Sequence, residues 1–229
     1  MGKSRRATSR RSKRGPKRAY HHGDLRAALI DAGLDLVAKR GIEALSLRAV
    51  ARRAQVSHAA PYHHFADKAE LLAAVAAAGF DRMVAAIAQA TVDHPPRRAL
   101  ESLRAVGVGY LRFAFQHPAI FRLMFRPELT KPAAHLLLQD AQARAFATLL
   151  TAIKAAQGAG ELPGDDPTAP ATFAWSAVHG LAVLHGDQVL RETPLGTVPI
   201  ERLAEAVVNL CLAGLQAAPR PGPADAAPR

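Results

Sequence analysis

The chain has 229 residues, about half of them apolar, and a net charge of +11, which is enough for one or two domains with a sizeable core. Nine positive charges (Lys3, Arg5, Arg6, Arg10, Arg11, Lys13, Arg14, Lys17 and Arg18) fall in the first twenty residues with no acid among them, leaving +2 for the rest. The single Cys211 excludes a disulfide framework, no apolar run reaches the ~18 residues of a membrane span, and the start lacks the apolar core of a secretory signal.

A cytoplasmic protein is therefore expected, with no cofactor. The basic arm, residues 1–19, suits phosphate binding by counterion release or is a solvated leader. Beyond it, Ala, Leu, Val and Arg dominate, and Pro and Gly punctuate long periodic segments, which predicts an all-α protein.

The first helix is expected over roughly 22–40, with Leu25, Leu29, Ala32 and Leu36 as its apolar stripe and Gly41 as its left-handed stop. Ser46 is placed to cap a short second helix, and Ser57 a third ending near Phe65. Asp67 and Glu70 have the spacing of a capping box for a long fourth helix, roughly 68–91. Further helices are predicted at roughly 97–116, 118–126 and 132–157. Asp166 and Pro167 open another, to about 191, and Pro199 the last, to about Gln216. Residues 217–229, rich in Pro, Ala and Gly, read as a disordered tail.

Two short helices, a tight turn and the root of a long helix make a unit that puts one helix into the DNA major groove. The pattern Leu45-Ser46-Leu47-Arg48, Val50-Ala51, Val56-Ser57, Tyr62, His64-Phe65, Asp67-Lys68 and Leu71 resembles the TetR family of transcriptional regulators. The chain departs from that family at two places. Gln55 stands where the family usually has Gly, so a non-Gly residue must approach a left-handed conformation at about 1 kcal/mol. Pro61 removes an amide donor from the first turn of the recognition helix, which predicts a short, irregular helix.

Position and chemistry suggest that Ser57, His58, Ala59 and Ala60 face base edges or phosphates. The resemblance implies that Arg48 reaches a base, that Tyr62 and His63 touch backbone or bases, and that Lys68, at a helix amino end, binds phosphate. The histidines His58, His63, His64, His21 and His22 lack a carboxylate or Cys at ligand spacing, so no metal is expected.

The resulting division is an arm over 1–19, a reader over 20–72 and a helical regulatory and dimerisation domain over 73–216. In the last predicted helix, positions 206–215 leave only Asn209 polar, so two faces need cover: the domain's own core and a second subunit. The resemblance implies a homodimer through the last two helices, which would read a near-palindromic double-stranded operator.

Phe173-Ala-Trp-Ser-Ala-Val-His-Gly-Leu181 and His117-Pro-Ala-Ile-Phe-Arg-Leu-Met-Phe125 resemble a TetR subgroup marked by spaced Trp, His and Gly residues in its carboxy-terminal domain. That likeness implies a small-molecule effector in a cavity lined by some of Met83, Phe113, Phe121, Met124, Phe125, Phe146, Trp175 and His179. Ordinary core packing explains the same residues. Two other functions fit less of the chain: a nonspecific DNA-coating protein driven by the arm, and a helical enzyme using His179, His185 and Asp187, for which no nucleophile motif, metal set or phosphate loop is present.

Overall fold

A computed structural model describes residues 25–93, 96–126, 129 and 136–219. Among these all regular structure is helical. The eight α-helices are α1 (Leu25–Arg40), α2 (Leu47–Arg53), α3 (Lys68–Asp93), α4 (Ala99–Gln116), α5 (Pro118–Met124), α6 (Leu136–Gly158), α7 (Thr168–Gly186) and α8 (Ile200–Ala217). The basic arm, His21 and His22, the expected first turn of α1 and the tail beyond Pro219 lie outside the described residues.

Local chemistry sets most of the boundaries. Ser46 accepts the Ala49 amide at 3.2 Å and so starts α2. Asp67 accepts the Glu70 amide at 2.9 Å while Glu70 reaches back to the Ala66 amide at 2.7 Å, a reciprocal cap at the root of α3. Asp166 accepts the Thr168 amide at 2.9 Å at the head of α7. That helix stops at Gly186 rather than continuing to 191, because Gln188 turns left-handed (φ 63°) and two short 3-10 turns follow. Periodicity missed that stop, since Val189 and Leu190 continue the apolar pattern.

Helix α1 packs on α3, α2 packs on α1, and the 3-10 turn Ala60–His63 packs on α2. Gly33 is the point of closest approach: a methyl there would stand 2.6 Å from Val75 Cγ2 of α3. In the larger part α4 is central and touches α3, α6, α7 and α8. One apolar core runs without a break from Leu29 to Leu215.

The long helix also corrects an expectation. Lys68–Val92, with mean hydropathy 1.7, is long and apolar enough to cross a membrane, contrary to the reading that no run is, yet 56% of that window is buried inside the protein. Burial in a helical core accounts for its apolarity.

Candidate nucleic-acid interface and internal cavity

The turn between α2 and the recognition segment is a left-handed helix cap built without glycine. Gln55 has φ 59°; its amide bonds Arg52 O at 3.2 Å, and the Val56 amide reaches Ala51 O at 3.0 Å. These two bonds satisfy the last carbonyls of α2 and send the chain back across it. Val56 then packs against the core.

The recognition segment itself is shorter than a regular helix. It is a 3-10 turn, Ala60–His63, with Pro61 buried at its start. Because Pro61 has no amide to donate, its carbonyl becomes the anchor, accepting from His64 at 3.0 Å and Phe65 at 2.9 Å. Ser57 does not cap this turn through its hydroxyl; its backbone carbonyl takes the Ala60 amide at 3.1 Å.

Around this frame Leu45, Leu47, Val50, Ala51, Pro61 and Phe65 point inward. The expected contact residues Arg48, Ser57, His58, Ala59, Tyr62, His63 and Lys68 are exposed, and Ala60 is half-buried. Tyr62 is 54% exposed, a large aromatic ring left without cover by its own chain. Among the described residues no ion pair or hydrogen bond engages the side chains of Arg48, His58, Tyr62 or Lys68.

Arg53 differs. Its guanidinium holds Asp35 at 2.6 Å, and with Lys39 it keeps the Asp35 carboxyl at about 2, below the usual carboxylate range. Arg53 is thus committed to the fold, whereas Arg48 and Lys68 remain available to phosphate or bases. No three His, Cys, Asp or Glu side chains gather at metal-ligand distance among the described residues.

The larger part contains a half-open cavity of about 410 Å³ between α3, α4, α6, α7 and α8. Four of the eight expected residues line it: Met83, Phe125, Phe146 and Trp175. Phe113, Phe121 and Met124 are buried in the core away from its lining. His179 also stands outside the lining, with its Nδ1 2.8 Å from the Tyr110 hydroxyl.

Tyr110, absent from the sequence expectations, is the link. Its hydroxyl shares a hydrogen bond with His179 Nδ1 and accepts from Trp175 Nε1 at 3.3 Å, so it links the two rings. Burial holds the Tyr110 phenol far above its usual range and pulls His179 below its own, so both are neutral near pH 7. Sequence spacing could not find Tyr110, because its partners lie sixty-five and more residues away.

The three residues of the enzyme alternative serve separate contacts. His179 bonds Tyr110, His185 packs edge-on to Phe115 at 4.7 Å, and Asp187 pairs with Arg122 at 2.9 Å.

Comparison with known proteins agrees with this geometry. The model for bacterial regulatory proteins of the tetR family matches residues 29–75. That for tetracyclin repressor-like C-terminal domains matches residues 103–211. An HTH-type transcriptional repressor of Mycobacterium tuberculosis is 32% identical over 162 residues, 62% of this chain and 82% of its own length. The HTH-type transcriptional regulator BetI of Rhizobium meliloti is 27% identical over 185 residues, 80% of this chain and 87% of its own.

Among solved structures, a protein of unknown function from Rhodococcus sp. RHA1 has a TM-score of 0.73 at 31% identity, covering 87% of this chain and 100% of that one. The TetR family regulator PfmR from Thermus thermophilus shares the fold at a TM-score of 0.59 and 22% identity, over 82% of this chain and 98% of its own. A helix-turn-helix unit joined by α3 to a helical body matches the two family models over both of its parts. The chain belongs to the TetR family and is a DNA-binding transcriptional regulator, not an enzyme.

Proposed function

We propose that the chain is a homodimeric repressor that reads a near-palindromic operator and is released by a small molecule bound in the cavity. The reader is residues 20–72 and the regulatory and dimerisation domain is 73–216. The observation that carries the reading is the exposed set Arg48, His58, Tyr62 and Lys68, unengaged among the described residues and presented beside a left-handed, capped turn. His58, Ala59 and Ala60 meet base edges, with Ser57, Tyr62 and His63 beside them, and Lys68 meets phosphate.

Dimerisation is supported by the outer faces of α7 and α8. Phe173 and Leu210 are 50% and 72% exposed, and Val183 and Leu184 lie on the same exposed helix α7. A methyl at Gly180 or Gly186 would meet nothing within 4 Å, so a second backbone has room to approach. Two-fold pairing there would present two readers about 34 Å apart, one turn of DNA.

The test is selection from random duplex DNA at physiological salt, with Tyr62→Ala as control. Enrichment of a palindrome, lost in the variant, is expected. Tight, salt-sensitive binding without enrichment would refute the sequence-specific reading and leave the basic arm as the DNA contact.

A further inference from the structure

The cavity's lining is chemically selective, and this bears on what can enter it. Among the described residues its lining includes no Lys, Arg, His, Asp or Glu. Two of its polar groups, the Tyr110 hydroxyl and the Trp175 indole, already bond one another, and Tyr110 also bonds His179. Burial lowers the pKa of His179, which disfavours a countercharge behind the wall.

The side-chain amide of Gln142 is different. It lines the cavity on α6, half-buried, and among the described residues no hydrogen bond engages it. An amide offers two donors and an acceptor, which suits a neutral partner of either polarity. The remaining wall is aliphatic and aromatic. A buried carboxylate would find only amide donors there and a full desolvation cost.

Size narrows the ligand further. At roughly the 30 Å³ that a water takes in the liquid per heavy atom, the cavity holds about fourteen such atoms. Among the described lining residues Phe146 and Trp175 are the exposed ones, while Cys211 and Val208 of α8 are buried.

We infer that the cavity takes an uncharged, largely apolar molecule of about a dozen heavy atoms, with one neutral hydrogen-bonding group held by Gln142. Gln142 is thus the specificity-determining residue, and Tyr110 and His179 serve to keep the rest of the wall neutral. The inference rests on the cavity being the effector site proposed above.

The experiment titrates the full-length protein at pH 8 with 1-dodecanol, dodecanoate and dodecylammonium, each below its solubility limit or micellar concentration. Trp175, the single tryptophan of the chain, lines the cavity and reports occupancy by its fluorescence. Dodecanol is expected to saturate with a Kd about tenfold or more below either charged analogue. Gln142→Leu should weaken dodecanol several-fold, and Gln142→Lys should turn the preference towards dodecanoate.

Equal or tighter binding of either charged chain, no binding by any of the three, or an unchanged preference in both Gln142 variants would overturn the inference. Operator affinity is measured in parallel by titration of the selected duplex. Dodecanol binding with unchanged operator affinity supports the ligand class and refutes release by that ligand, so the two proposals fail separately.

Discussion

Replacing Gln55 by Gly should stabilise the protein. Gln55 sits at φ 59°, where an L-residue with a Cβ is strained by about 1–2 kcal/mol. Its side chain is exposed and makes no hydrogen bond among the described residues, so its removal loses nothing from the fold. Glycine returns about 0.5–1 kcal/mol of that gain through its freer unfolded chain. The net is about 0.5–1 kcal/mol, which for a chain of this size raises Tm by about 1–4 °C.

Thermal unfolding at fixed protein concentration measures it, since the proposed dimer would make Tm concentration-dependent. Gln188→Gly is the internal comparison. Its φ of 63° is nearly the same, but Gln188 Nε2 also donates to His185 O at 3.2 Å, so its gain should be smaller. A Gln55→Gly protein less stable than the parent would refute the strain argument. So would a Gln188→Gly gain larger than that at Gln55.

Gly33→Ala should destabilise by about 1–3 kcal/mol in urea unfolding, because its methyl would stand 2.6 Å from the buried Val75. Lys68→Ala should weaken operator binding alike for matched and mismatched duplexes and lower the slope of log K against log salt by about 1, read by fluorescence anisotropy. Burial lowers the pKa of His179, so the unfolded chain binds its proton first; stability should be full above the usual His range and fall as pH drops through it. His179→Gln should flatten that part of a stability–pH profile, and an unchanged slope would place the titration elsewhere.

Local rules made much of the fold readable. Ser46, the Asp67–Glu70 pair and Asp166 act on neighbours within four residues, and the helices they open begin where spacing predicts. Ser57 fails as a cap because Pro61 imposes a 3-10 turn whose amides are met by backbone carbonyls. The exposure of Arg48, His58, Tyr62 and Lys68 was readable too, since these are what remains when the apolar positions of two short helices are turned inward.

The cavity was only half readable, for a physical reason. Met83, Phe125, Phe146 and Trp175 carry the composition of a pocket, but so do Phe113, Phe121 and Met124, which pack as core. Only the crossing of five helices decides which aromatic faces empty space. Tyr110 and Gln142 have no distinguishing local pattern; one matters through partners far along the chain and the other through having none among the described residues.

If cavity occupancy alters DNA affinity, magnitude indicates what carries the coupling. A tenfold change requires about 1.4 kcal/mol of differential binding. Among the described residues, ion pairs between the amino-terminal helices and the body include Asp31 with Arg82 at 2.7 Å and Glu43 with Arg126 at 3.7 Å. Asp31 and Glu43 are 69% and 85% exposed, and exposed pairs contribute about 0–1 kcal/mol before screening. They are too weak to transmit the effect alone.

Packing is the stronger route. The same helix α3 places Leu71 and Val75 in the shared core and Phe80, Met83 and Ile87 at the cavity. Between these two groups Gly79 lies against α5, where a methyl would stand 2.9 Å from Met124 Cγ. Met124 is fully buried, so truncating it to Val opens space worth about 1–2 kcal/mol at the joint between α3 and α5. The ratio of operator affinities with and without ligand should therefore shift in Met124→Val and stay unchanged in Arg82→Ala. A ratio lost in Arg82→Ala but intact in Met124→Val would put the coupling in the surface charges, against the energies argued here.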